Sequence, residues 1–201
     1  TCGSELFNDH DSSLAHEIVF WLGLVELISY WKSACPYNVI IKCGYLDDTQ
    51  ISWFKKLWYR GLSEFFYKNG IQTDESSFMN VICMGFKRDD KNELINTCGR
   101  DLIPVGGGKD SDVTMHLLRD YSKDNILFTV NDQGAREQGA AAAGYDPAKS
   151  IMRTYRTIDK NLLELNAKGF LNGHTPFSAI VAFLGFYCAY ITGCSYIVLS
   201  N

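Results

Sequence analysis

Apolar residues recur at helical spacing in the first hundred positions, with a few short β-branched runs between them. A helix is predicted over residues 14–31, behind the capping residues 11–13, with the apolar stripe Leu14, Ile18, Trp21, Val25 and Ile28. Asp47 with Gln50 three residues later predicts the start of a second helix, which Asn69-Gly70 would end. Strands are predicted over residues 39–41 and 78–86, followed by an exposed charged linker over residues 87–93.

The pattern changes near residue 100 to strand, glycine turn, helix and strand, which is typical of parallel βαβ units. Strands are predicted over residues 102–105, 126–130, 151–158 and 196–199, and helices over residues 111–120, 160–168 and 176–191. The Ala/Gly-rich residues 134–144 are predicted to be a connection. We therefore expect an α/β fold with a doubly wound, mainly parallel sheet in residues 101–201 and an additional mixed helical lobe in residues 1–100.

Composition narrows the class of protein. The chain has 201 residues, 46% of them hydrophobic, and a formal net charge of −4, which disfavours a nucleic-acid partner. Its seven cysteines form no CxxC pair, which favours reduced thiols in the cytoplasm. Residues 14–31 and 176–191 are predicted to be buried amphipathic helices and not membrane spans. Because the chain lacks an initial Met and stops inside a predicted strand, we expect it to be part of a longer protein with a truncated C-terminal end.

The segment Gly106-Gly107-Gly108-Lys109-Asp110-Ser111 joins a predicted strand to a predicted helix. Three residues without Cβ let backbone N–H groups surround an anion, and the helix N-terminus adds unpaired donors and a positive dipole end. This arrangement predicts a phosphate site, although a glycine-rich turn with an ordinary helix cap is the alternative. The spacing fits neither GxxxxGK[ST] nor GxGxxG.

The same segment resembles the PP-loop signature SGGxDS of enzymes that split ATP between the α and β phosphates. Gly107, Gly108, Asp110 and Ser111 match, and Gly106 replaces the usual Ser. The resemblance implies that the loop residues hold the pyrophosphate of ATP and that Asp110 places Mg²⁺. Lys109 is expected to neutralise phosphate charge or to point outward.

A second polar segment, residues 166–177, ends in Asn172-Gly173-His174-Thr175-Pro176 before an apolar helix. With the stretches GLVELISYWK (23–32), GLSEFFYKNGI (61–71), PVGGGKDS (104–111), NLLELNAKGFLNGHTP (161–176) and IVLSN (197–201), it resembles the UDP-N-acetyl-alpha-D-muramoyl-L-alanyl-L-glutamate epimerase (MurL-type) family. The resemblance implies ATP-dependent inversion of the terminal L-Glu of UDP-MurNAc-L-Ala-L-Glu to D-Glu through a carboxyl adenylate, with release of AMP and pyrophosphate, in peptidoglycan precursor synthesis.

Further candidate catalytic and binding residues are chosen by their place in the predicted elements and by their side-chain chemistry. His174 is the candidate acid/base or phosphate ligand, and Asn172, Arg153 and Arg156 are candidate substrate ligands, with solvated surface charge as the alternative for the two arginines. Asn131 and Asp132 follow a predicted strand, where nucleotide ligands or plain strand-end caps are found. Cys188 and Cys194 are predicted to be buried structural thiols. A PP-loop ligase or amidotransferase and a catalytically inactive nucleotide-binding module are the alternative functions.

Overall fold

The structure is a computed structural model that describes residues 8–87, 94–121, 125–131 and 134–200. Its elements, in chain order, are α1 (Ser13–Trp31), β1 (Asn38–Ile41), α2 (Asp48–Gly61), α3 (Ser63–Lys68), β2 (Asn80–Cys83), β3 (Arg100–Pro104), α4 (Lys109–Leu118), β4 (Ile126–Val130), α5 (Gly134–Ala142), α6 (Pro147–Ser150), β5 (Ile151–Thr154), α7 (Lys160–Ala167), α8 (Phe177–Thr192) and β6 (Cys194–Ile197).

The chain forms two compact units. One, here called the sheet unit, comprises Thr1–His16, Glu93–Thr157 and Leu184–Asn201. The other, here called the helical unit, comprises Glu17–Asn92 and Ile158–Phe183. The phosphate-loop segment lies in the sheet unit, and the segment with His174 lies in the helical unit.

The sheet unit is built on four parallel strands in the order β5-β4-β3-β6. Adjacent residues of a strand face opposite sides, so each strand packs on two layers. Ile103 and Leu127 pack in an apolar cluster with Met115 of α4 and Ala140 of α5. On the other side, a Cβ at Gly185 of α8 would lie 3.9 Å from Leu102 Cδ2 and from Phe128 Cε1. Helices on both faces of a parallel sheet confirm the predicted α/β class.

The helical unit packs α1, α2, α3 and a two-stranded parallel sheet, β1-β2, around an aromatic core. Trp58 and Phe65 are fully buried there, and the Trp58 indole donates to the Leu24 carbonyl at 3.0 Å. The predicted capping box is present: Asp47 Oδ1 accepts from the Gln50 N–H at 2.8 Å, and Gln50 Oε1 accepts from the Asp47 N–H at 3.0 Å. A cap of this kind stabilises a helix by about 1 kcal/mol, which fixes the start of α2.

By length and composition, α1 is long and apolar enough to cross a membrane, a test that buried core helices also pass. Its residues Ile18, Val25 and Ile28 are fully buried in the structure, at the helical spacing predicted from the sequence. Val25 and Ile28 belong to the apolar core of the helical unit. The predicted buried face of α1 is therefore confirmed at these three positions, whereas Leu14 and Trp21 are half-buried.

Five element predictions are corrected. The strands predicted over residues 78–86 and 151–158 are shorter, at Asn80–Cys83 and Ile151–Thr154. Residues 88–93 of the predicted linker lie outside the described residues. Residues 134–142 form helix α5 and not a connection, because its alanines are strong helix formers and its glycines have specific places. A Cβ at Gly139 would lie 2.6 Å from Asp112 Oδ1 of α4, and Gly144, with φ +87°, ends the turn that follows the helix. The second predicted helix is divided at Leu62 into α2 and α3. The last strand lies two residues earlier than predicted, at Cys194–Ile197.

Candidate functional site

The loop between β3 and α4 leaves its backbone open to a ligand. Gly106 and Gly108 are exposed, and a Cβ built on either would meet no atom within 4 Å. Gly107 has φ +82°, a conformation that side chains rarely adopt. Val105 anchors the start of the loop, because its N–H donates to the Phe128 carbonyl of β4 at 2.8 Å. The loop is therefore fixed at its strand end and has free space at Gly106 and Gly108.

The first turn of α4 supplies the polar side chains of the loop. Lys109 and Asp110 are exposed, whereas Ser111 is 5% exposed and its hydroxyl donates to the Gly108 carbonyl at 2.8 Å. A hydroxyl has one proton to donate, so Ser111 has to rotate away from this carbonyl before it can donate to a phosphate oxygen. The exposed N-terminus of α4 adds unpaired backbone donors. This turn can receive an anion without any change in the backbone.

Sheet topology places the loop where parallel sheets bind ligands. The chain runs from β3 to β4 and β5 on one side, and β6 then returns to the other side of β3. The strand order therefore reverses between β3 and β6, and ligands bind outside the carboxyl ends of strands at such a point. The loop that follows β3 begins at this end. The predicted phosphate site thus coincides with the topological switch point of the sheet.

Asn131 caps the neighbouring strand end. It follows β4 with φ 59°, its N–H donates to the Thr154 carbonyl at 2.8 Å, and its Oδ1 accepts from the Arg156 N–H at 2.9 Å. Asn131 thereby ties the ends of β4 and β5 together. Asp132, the other residue predicted here, lies outside the described residues.

Arg136, in the first turn of α5, was not identified from the sequence. Its guanidinium donates to the Val130 carbonyl at 2.6 Å, to the Asn131 carbonyl, and through Nε to the Gly106 carbonyl at 3.4 Å. Its Cγ would lie 3.3 Å from a Cβ on Gly107. A positive charge therefore holds the glycine loop against the end of β4. The sequence contains an arginine six residues after the end of β4, which could have indicated this role. It was overlooked because residues 134–144 were predicted to be a connection and not a helix.

Arg153 is engaged within the sheet unit. Its Nη2 lies 2.6 Å from Glu137 Oε1 of α5 and 3.4 Å from the Pro147 carbonyl. The side chains of Arg153 and Glu137 are 28% and 52% exposed, so this ion pair stabilises the unit only modestly. To bind a substrate carboxylate, the Arg153 guanidinium has to break its ion pair with Glu137 or bind both carboxylates at once.

Asn172 and His174 lie in the helical unit, on a loop that is held firmly. Asn172 Oδ1 accepts from the Gly173 N–H at 2.8 Å, and the Gly173 carbonyl accepts from Lys32 Nζ at 2.5 Å. Lys32 is 8% exposed, and a Cβ on Gly173 would lie 3.1 Å from the ring of Phe65. A buried ammonium and a close backbone approach thus fix this loop on α1 and α3.

The imidazole of His174 is exposed, just before α8 begins at Phe177. The pKa of Glu64 is lowered mainly by the hydrogen bond and charge of Lys68, with a smaller contribution from the charge of His174. Glu64 and Lys68 form an ion pair at 2.5 Å on α3. His174 is therefore exposed and lies near this ion pair.

The two cysteines near the end of the chain, Cys188 and Cys194, are buried. Cys188 is 1% exposed and Cys194 is 7% exposed. Burial, with a smaller contribution from Cys194, raises the pKa of the Cys188 thiol to about 12. Since the thiolate is the reactive form, burial makes Cys188 a poor base. The prediction that both are buried thiols is confirmed.

The residues fit a nucleotide phosphate with Mg²⁺. In the described part of the chain no three His, Cys, Asp or Glu side chains are grouped so that they could hold a metal ion alone. Mg²⁺ is commonly held by one or two carboxylates together with substrate phosphates and water. Asp110, exposed on the same turn that offers backbone donors to an anion, suits that mode of binding. Assignment of ATP and Mg²⁺ to this loop stays a prediction.

Gly106 and Gly107 give a matched pair of substitutions. Gly106→Ser enters free space and supplies the hydroxyl usual at that position of the signature, so we expect ATP to bind at least as tightly and up to about 10-fold more tightly, the value of one added hydrogen bond. Gly107→Ala has to adopt φ +82° and press on Arg136, so we expect weaker binding. Titration of each variant with Mg²⁺-ATP, followed by calorimetry, measures the difference. Equal losses in both variants would contradict an open position at Gly106.

Comparison with known proteins agrees with the family resemblance. Residues 3–201 match the family described as the MurL N-terminal domain. Proteins named UDP-N-acetyl-alpha-D-muramoyl-L-alanyl-L-glutamate epimerase from Salinispora tropica, Xanthomonas oryzae pv. oryzae and Micromonospora sp. are 30%, 27% and 30% identical to it over 186, 180 and 185 residues. No solved structure matches the chain.

Coverage differs between the chain and these relatives. Each alignment includes 90% of this chain but only 38%, 38% and 39% of the three relatives, so the chain spans about two fifths of their length. The family match, in contrast, extends over nearly the whole sequence. The chain therefore belongs to the MurL N-terminal domain family.

Proposed function

We propose that this domain binds Mg²⁺-ATP at residues 106–111 as part of an epimerase that inverts the terminal L-Glu of UDP-MurNAc-L-Ala-L-Glu to D-Glu. ATP is a substrate that is consumed to AMP and pyrophosphate, and the reaction belongs to cytoplasmic synthesis of peptidoglycan precursors. One observation carries the proposal: an open Gly-Gly-Gly loop and a helix N-terminus at the switch point of a parallel sheet, in a chain of the MurL N-terminal domain family.

The chemistry explains why an epimerase consumes ATP. Removal of the Cα proton beside a free carboxylate would add negative charge to a group that is already an anion. Transfer of AMP to the carboxylate oxygen, with cleavage of the bond between the α and β phosphates, neutralises that group and makes its carbonyl electron-withdrawing. The α-proton then leaves from one face, a proton returns to the other face, and water cleaves the mixed anhydride to give D-Glu and AMP.

The sheet unit would bind the nucleotide. Backbone N–H groups of Gly106, Gly107 and Gly108, the hydroxyl of Ser111 and the ammonium of Lys109 would hold the phosphates. Mg²⁺ supplies charge neutralisation at the departing pyrophosphate, and Asp110 would orient it. Arg136 would keep the loop in its binding shape, since it donates to the Gly106 carbonyl.

Residues that contact the rest of the substrate are assigned by position and chemistry. Asn131 and Asp132 come directly after β4 in the sequence and would bind the nucleotide. Arg156 follows β5 and would bind the substrate, and Arg153 would pair with a carboxylate or diphosphate. Asn172 would bind the substrate. His174 would exchange the proton at Cα, because its imidazole is exposed on a fixed loop and imidazole is the side chain most often used in general acid–base catalysis.

The test follows the products in a complete MurL-type protein that carries this domain. With UDP-MurNAc-L-Ala-L-Glu and Mg²⁺-ATP we expect AMP and pyrophosphate together with D-Glu after acid hydrolysis, and no D-Glu without ATP. An amide product with retained L-Glu would instead identify a ligase or amidotransferase. Nucleotide binding with no AMP at all would identify an inactive nucleotide-binding module.

A further inference from the structure

The β1-β2 sheet of the helical unit has one buried face and one exposed face. The exposed face carries two cross-strand pairs, the hydrogen-bonded Asn38 and Asn80 and the apolar Ile40 and Ile82. Ile40 and Ile82 are direct partners in the register of the two parallel strands, yet they are 51% and 39% exposed. Their neighbour Ile41, which faces the other way, is 4% exposed and belongs to the core. Alternate residues of a strand face opposite sides, so Ile40 and Ile82 lie side by side on the outer face.

The exposed apolar surface continues beyond the end of β2. Met84, two residues after Ile82, is 59% exposed, and Phe86 is 91% exposed. The Met84 N–H donates to the Ile41 carbonyl at 2.8 Å, so the pairing with β1 extends to this residue. We call Ile40, Ile82, Met84 and Phe86 the outer apolar face. Neighbouring exposed apolar side chains, such as Ile40 and Ile82, are typical of surfaces that another polypeptide covers.

The strands themselves are also incomplete as a sheet. Within the described residues, β1 and β2 pair only with each other, which leaves one edge of each strand with unpaired backbone groups. Parallel sheets are normally covered on both faces, and two strands alone are at best marginally stable. A partner that adds a strand here would pair the backbone groups at the edge. A partner that packs an apolar layer here would cover the exposed side chains.

We propose that the outer apolar face is the docking surface for the part of a MurL-type protein that lies outside the N-terminal domain. The matching family is an N-terminal domain, and the curated relatives are more than twice as long as the segment they share with this chain. A partner in the same polypeptide has a high effective concentration and can cover an apolar surface permanently. The partner surface is therefore apolar, with an exposed strand or a helix that packs across Ile40 and Ile82.

Hydrogen–deuterium exchange tests this proposal by comparing this chain with the full-length Salinispora tropica relative. We expect amides in the segments aligned with β1 and β2 to exchange about 10-fold or more slowly in the full-length relative, because covered edges open less often. Segments aligned with β3 and β4, which lie inside the other sheet, are the control and should exchange alike. Equal exchange of the β1 and β2 segments in both proteins would overturn the proposal.

A substitution then locates the contact. Lysine at the two positions aligned with Ile40 and Ile82 in the full-length relative should raise exchange of β1 and β2 to the level seen in this chain. Lysine at the position aligned with Leu117, which is 73% exposed on α4, is the matched control and should change nothing. Slow exchange of β1 and β2 that persists in the doubly substituted relative would overturn the proposal. Exchange in this chain that slows as its concentration rises would also overturn it, because a second copy of the chain would then be the occupant.

Discussion

Alanine in place of Asp110 or Ser111 is expected to lower AMP and pyrophosphate release by about 10²-fold or more, the usual cost of removing one group that contacts transition-state charge. The Ser111 hydroxyl and the Asp110 carboxylate lie on the turn that follows the open glycine loop, where the departing pyrophosphate would gain negative charge. The measurement is the rate of pyrophosphate release at saturating ATP and substrate in a complete MurL-type protein carrying this domain.

Thr114→Ala is the matched control for Ser111→Ala. The Thr114 hydroxyl donates to the Asp110 carbonyl at 3.0 Å, as the Ser111 hydroxyl donates to the Gly108 carbonyl at 2.8 Å, but Thr114 lies one turn further along α4. Loss of such a bond costs about 1 kcal/mol of stability in either variant. If Thr114→Ala loses as much activity as Ser111→Ala, the loss is structural and the phosphate assignment is wrong. Near-normal pyrophosphate release in both Asp110→Ala and Ser111→Ala would also contradict the assignment of this loop to the phosphates.

The sequence predicted those parts of the site that depend on local patterns. A strand, three glycines and a helix start are encoded by neighbouring residues, and the structure has β3, the open loop and α4 in that order. The cap of α2 is likewise local, because Asp47 and Gln50 are three residues apart. Such features need no knowledge of the rest of the fold.

The features that the sequence did not predict depend on contacts between residues that are far apart in the sequence. Return of β6 to the far side of β3 creates the switch point, and the residues concerned are about 95 positions apart. Arg136 acts on Gly106 across 30 positions, and Lys32 holds Gly173 across 141. Helix α5 was missed because its glycines, which disfavour a helix on their own, are needed for close approach to Asp112 and for the turn at Gly144. Only the folded structure shows why those residues are there.

The role proposed for His174, proton exchange at Cα, allows proton transfer to be separated experimentally from ATP cleavage. In D₂O, a complete MurL-type protein carrying this domain should place deuterium at the glutamyl α-carbon only when ATP is present, because the free carboxylate does not acidify that proton enough. His174→Ala should leave AMP release almost intact and lower deuterium incorporation by about 10²–10⁴-fold, the usual contribution of a general base. Mass spectrometry of the recovered dipeptide and chromatography of AMP measure the two steps.

Two further variants decide between the roles of His174. His174→Gln retains a hydrogen-bond donor but cannot exchange a proton near neutral pH, so a phosphate-binding role predicts that both AMP release and deuterium exchange recover in part, whereas a base role predicts that exchange stays low. His116→Ala, an exposed histidine on α4, controls for loss of an imidazole elsewhere and should change neither step. Equal loss of AMP release and exchange in His174→Ala would assign the imidazole to the nucleotide. Deuterium incorporation without ATP would contradict activation of the carboxylate, and with it the ATP-dependent epimerase itself.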